Sequence, residues 1–158
     1  MPLLKSVNIS NREFAKKTIA ELFVGDLENA QVKVVNYAAS CIAINDGKGH
    51  FSIRKLPVAM QLSSVNAILI KDVNKDGFPD IISGGNFFDL LPQFGRLDAS
   101  FGNVLLNDKK GNFITMPAIV SGIDLRGQIR NIVSFKRKNE NCIVFLENND
   151  YPVSYKIK

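Results

Sequence analysis

One histidine in 158 residues is little material for acid–base catalysis. That residue, His50, follows Asp46-Gly47-Lys48-Gly49 and reads as a solvated turn tip without a nucleophile beside it. Cysteine is also scarce. Cys41 and Cys142 lie in separate apolar stretches without metal-ligand spacing, so they read as buried free thiols rather than a disulfide framework. No apolar run approaches the length needed to span a bilayer, and MPLLKSVNIS at the start holds no stretch of signal-peptide type. Gly84-Gly85 lacks the Gly-Lys-Ser/Thr that would follow in a phosphate loop. The net charge is +5, but the cations are scattered and the densest group is only Lys136-Arg137-Lys138. Such a triplet is a solvated turn, and without a basic stripe nucleic acid is not an expected partner. Asp89, Asp98 and Asp124 offer carboxylates for glycoside hydrolysis, yet nothing in their spacing singles out a pair. No catalytic constellation emerges. A carbohydrate-active hydrolase or accessory domain, and then a nucleic-acid binder, stand as alternatives to a binding or structural role.

What the chain does have is a loop rich in oxygen side chains, Lys71-Asp72-Val73-Asn74-Lys75-Asp76-Gly77-Phe78-Pro79-Asp80. Asp72, Asn74, Asp76 and Asp80 take positions 1, 3, 5 and 9, with Gly77 at the sharp bend. A hard cation such as Ca²⁺ takes six to eight oxygens, and alternate residues of a tight loop aim side chains at one point. Phe78 would add its backbone carbonyl. The flanks, Val65-Asn66-Ala67-Ile68-Leu69-Ile70 and Ile81-Ile82, are β-branched and apolar, so the loop joins two strands rather than two helices. The plainer alternative is a turn made from good turn formers.

Residues 1–30 differ from the rest. Met1–Val7 reads as helical, Ser10-Asn11 as helix caps, and Phe14, Ile19, Leu22 and Phe23 as a partly amphipathic stripe that Gly25 interrupts. Residues 31–158 read as strands, beginning at Val32, Cys41, Phe51, Val65, Asp80, Asn103, Phe113, Ile129, Cys142 and Val153. Between Gly84 and Gly102 runs a long aromatic connection. In it Phe87, Phe88, Arg96 and Asp98 form the expected partner surface, though Arg96 and Asp98 serve equally well to pin the loop to its own sheet.

An internal repeat organises these strands. Ile44-Asn45-Asp46-Gly47-Lys48-Gly49-His50-Phe51 matches Leu106-Asn107-Asp108-Lys109-Lys110-Gly111-Asn112-Phe113 at an offset of 62 residues. The same offset carries Asp80-Ile81-Ile82 onto Cys142-Ile143-Val144. A repeated hairpin at fixed spacing implies a propeller or similar array. Carried over without a gap, the ligand positions fall on Ser134, Lys136, Lys138 and Cys142, which cannot bind a cation this way. One metal site is expected, not two.

DVNKDGFPDIISGGN followed by NVLLNDKKGNF resembles the FG-GAP/VCBS repeat of calcium-binding β-propellers. The segments Pro57–Gln61, Gly85–Phe88 and Gly95–Gly102 resemble the C-terminal part of large bacterial surface proteins with VCBS repeats and an ASPIC/UnbV-type domain. The resemblance implies a mainly β fold, an incomplete propeller of about 2.5 blades with an N-terminal helical segment. One full blade spans residues 65–117, flanked by two partial ones. It also implies a calcium-stabilised module outside the cell or on its surface, its export signal upstream of this stretch. Expected partners are a protein, a glycan or the remaining blades of a parent protein. Terminal blades bury their faces against neighbours, so the helical segment is expected to cover one end and self-association the other.

Overall fold

The computed structural model describes residues 10–157, so the helical expectation at Met1–Val7 lies outside the described residues. The chain divides into two units, Met1–Ala38 and Ala39–Lys158. In the first unit the expected amphipathic helix is two separate turns, Asn11–Phe14 and Ile19–Leu22. Each has its own start: Ser10 Oγ accepts from the Glu13 N–H, and Thr18 makes a reciprocal capping box with Glu21. A capping box begins a helix, so Thr18 cannot also continue the one before it. A 3₁₀ turn follows at Leu27–Asn29.

The strand expected at Val32–Tyr37 is absent. Val32, Val34 and Val35 are exposed and no strand pairs with them. Their β-branched side chains favour a sheet only where there is a packed neighbour to join. Among the described residues the count is therefore nine strands, not ten.

The second unit holds all nine, in three antiparallel sheets. The first is a hairpin of β1 (Cys41–Asn45) and β2 (Phe51–Lys55). The second takes β3 (Val65–Lys71), β4 (Asp80–Gly85), β5 (Asn103–Asn107) and β6 (Phe113–Met116) in consecutive order. The third takes β7 (Ile129–Arg137), β8 (Glu140–Glu147) and β9 (Val153–Lys156). Every residue of β4 is buried, unlike those of its neighbours. Ile81 joins Leu105, Leu56 and Met60 in one core, while Ile82 joins Val104, Ile129, Ile132, Ile143 and Phe145 in another. β4 thus packs on both faces, which is why Ile81-Ile82 reads as a continuous apolar pair rather than an alternating strand. Cys142 is buried as expected, but Cys41, at the start of a two-stranded sheet, is exposed.

The two matching turns close alike. Asp46 N–H donates to His50 O at 3.0 Å, and Asp108 N–H to Asn112 O at 2.9 Å. In each, the Asp Oδ1 accepts two backbone amides, from Lys48 and His50 or from Lys110 and Asn112. The ungapped offset fails at β7. Strand register sets Ala67 opposite Gly84 and Asn131 opposite Leu146. Those pairs are 64 residues apart on one strand and 62 on the other, so the third sheet's hairpin is two residues shorter. Ser134 and Lys136 lie within β7, Cys142 within β8, and Lys138 in the tight turn between them.

Candidate functional site

The β3–β4 loop is shaped by two residues with left-handed backbone, Lys75 at φ 60° and Gly77 at φ 87°. Glycine adopts that region without a steric cost; lysine does not. The bends fold the loop's amides back onto its own side chains. Asp72 Oδ1 accepts the Asp76 N–H at 3.2 Å and Oδ2 the Gly77 N–H at 2.9 Å. Asn74 Oδ1 accepts the same Asp76 N–H at 3.1 Å, which brings the Asp72 and Asn74 oxygens together. Asp76 Oδ1 accepts the Phe78 N–H at 2.9 Å, and the Asn74 amide donates to Asp76 Oδ2 at 3.3 Å. The Phe78 amide, then the Asn74 amide and the Lys109 ammonium, hold the Asp76 carboxyl below its usual range.

Asp80 behaves differently. It is fully buried, with Oδ2 accepting from the Val73 N–H and Oδ1 from the Asn107 N–H, both at 2.9 Å. Two backbone amides satisfy the buried charge, and through them Asp80 ties the loop to the start of the β5–β6 turn. The Asn107 side chain returns a bond to Pro79 O at 3.1 Å. From the same turn, Lys109 reaches back to place Nζ 3.6 Å from Asp76 Oδ2 and 5.4 Å from the centroid of the exposed Phe78 ring.

The donor set is all oxygen, three carboxylates and a side-chain amide, which suits a hard cation such as Ca²⁺. An oxygen accepting one amide hydrogen keeps a second lone pair for a metal. The lysine ammonium at Asp76 is a cation the loop already holds. Among the described residues no three His, Cys, Asp or Glu side chains converge on one point. The structure gathers Asp72, Asn74 and Asp76 but gives the Asp80 oxygens to Val73 and Asn107.

In the aromatic connection, Phe87 and Leu97 form a two-way backbone bridge, with bonds of 2.8 and 2.9 Å. The Arg96 guanidinium lies 5.2 Å from the Phe88 ring centroid, and Asp98 is exposed. Of the other carboxylates, Asp89 meets Gln128 at 3.2 Å and Arg130 at 3.5 Å, and Asp124 pairs with Arg126 at 3.9 Å. A cleft of about 510 Å³ lies between the second and third sheets, its walls including Val73, Val104, Ile143 and Tyr155.

Two features escape a sequence reading. Asn86, at φ 75° and fully buried, accepts from Ser63 Oγ and the Ser100 N–H and donates to the carbonyls of Ser100 and Gly127. Nothing in Gly84-Gly85-Asn86 marks it as the junction of four segments. Lys109 is the other. Its signal is a comparison between the two turns, because Gly47 stands at the matching position.

No protein-family model, curated protein or solved structure matches the chain.

Proposed function

We propose that the β3–β4 loop binds Ca²⁺ through Asp72, Asn74, Asp76, Asp80 and the Phe78 carbonyl, and that the second unit is a calcium-stabilised interaction module of an incomplete β-propeller. The observation carrying this reading is the loop itself, where Asp72 and Asn74 turn their oxygens to one amide and the Asp76 carboxylate already attracts a cation. The propeller reading draws support from three successive antiparallel sheets, the middle one four-stranded with its strand β4 packed on both faces. When bound, the ion would neutralise carboxylates that otherwise repel one another. Such a module works outside the cell or on its surface, where calcium is plentiful. Its partner is a protein, a glycan or further blades, and Phe87, Phe88, Arg96 and Asp98 are the surface assigned to it.

Titration calorimetry with CaCl₂ and thermal melts in calcium and in chelator test the metal. At one hundred times the dissociation constant, calcium raises the melting temperature by about 5 °C or more. Asp76→Ala abolishes that rise. No heat of binding at millimolar calcium, with identical melts in chelator, makes the loop a turn and nothing more.

A further inference from the structure

Lys109 is an odd choice for its place. It has left-handed backbone, φ 67°, where the matching turn carries Gly47 at φ 82°. A side chain there is strained, and glycine relieves the strain at no cost to the turn's hydrogen bonds. The side chain gained by accepting that strain leaves its own turn, lies across the Phe78 ring and ends at the Asp76 carboxylate. The neighbouring Lys110 makes no such approach among the described residues; its carbonyl instead accepts from Arg54 of the first sheet at 2.6 Å.

We propose that Lys109 is a tethered competitor for the calcium loop: its ammonium occupies the cation's place at Asp76 in the empty loop and must be displaced when Ca²⁺ binds. This rests on the calcium reading above. A competitor on the same chain is always present, so it weakens the loop's affinity by a fixed factor and sets the calcium concentration at which the loop fills. It also protects the empty loop, since the ammonium offsets part of the repulsion among Asp72, Asp76 and Asp80. Displacement frees the side chain of a turn that Asp80 and Asn107 tether to the loop and that Arg54 tethers to the first sheet. Loop filling is thereby felt at the contact between two sheets.

Calorimetry with CaCl₂ on the full chain tests this with four proteins: wild type, Lys109→Met, Lys109→Gly and Lys110→Met. Removing one charge a few ångströms from a divalent ion, in a half-exposed site, is expected to tighten binding about three- to ten-fold. Lys109→Met and Lys109→Gly should both show it, and Lys110→Met should not. The glycine variant restores the residue of the matching turn, so it guards against a failure to fold. Melts in chelator supply a second readout, in which Lys109→Met loses stability that calcium restores. Equal calcium affinity in wild type and both Lys109 variants overturns the competitor while leaving the calcium site standing. Equal tightening by Lys110→Met also overturns it, as a general charge effect. No binding in any of the four overturns the site and the competitor together.

Discussion

Asn86 shows how much one polar side chain holds in a fold with little helix. Its amide and carbonyl, themselves fully buried, join Ser63 before β3, Ser100 before β5 and Gly127 before β7. Asn66 Nδ2 adds a bond to its backbone carbonyl at 2.8 Å. Packing around it is tight, since a Cβ on the preceding Gly85 would run into the Ser64 carbonyl. Asn86→Ala strands several buried groups at once, so we expect it to cost about 3 kcal/mol or more in urea denaturation. A loss below about 1 kcal/mol means water replaces the amide. Glu147 acts in the opposite sense. Burial, then the nearby Asp150, push its carboxyl above the usual range. Between the unfolded and folded values the folded state binds more protons, so stability falls as pH rises through that window. At neutral pH the charged carboxylate is therefore a cost. Glu147→Gln should raise the melting temperature at pH 7, and the gain should vanish below about pH 4, where the wild-type residue is protonated in both states. An equal gain at both pH values assigns the effect to packing instead.

Elements were legible wherever the local pattern and the tertiary setting agree. From Cys41 onward the strands stand where β-branched runs meet Asn-Asp-Gly turns, because each run has a neighbour to pair with. Val32–Tyr37 carries the same pattern without a paired neighbour and forms no strand. The first unit misleads for another reason: Glu21 fits a helix interior by propensity, yet with Thr18 it caps a new turn. The convergence of Asp72, Asn74 and Asp76 was legible because alternation along a tight loop is a local property. The direction of Asp80 was not, because its Oδ1 partner, the Asn107 amide, lies 27 residues further along. Lys109 at Asp76 is hidden for the same reason, and only the glycine in the matching turn hints at it. The gap in the repeat was equally hidden, since it falls in the β7–β8 connection, where Phe135 pairs with Cys142 as Lys71 pairs with Asp80, and strand register alone locates it.

At the scale of the molecule, β4 alone is covered on both faces, and apolar side chains stay exposed on all three sheets, Ile68, Ile70 and Ile114 among them on the middle one. Phe51 and Ile53 are exposed on the first sheet, and Val133 and Phe135 on the third. No described strand pairs with the outer edge of β9. Exposed apolar rows beside an open strand edge invite pairing with another chain, and natural sheets usually blunt such edges with charge or Pro. Lys156 supplies a little of that on β9, but it is already engaged by Glu140. On the propeller reading proposed above, sheets left uncovered at the ends of an array are expected to associate with another chain. Multi-angle light scattering at micromolar protein in calcium should therefore give a mass above that of one chain. Phe135→Glu, which puts a charge into the exposed row of the third sheet, should shift the mass toward the monomer without lowering the melting temperature. A wild-type chain that is strictly monomeric and melts in one cooperative step would mean that these sheets fold without a partner. The exposed phenylalanines would then need no covering at all.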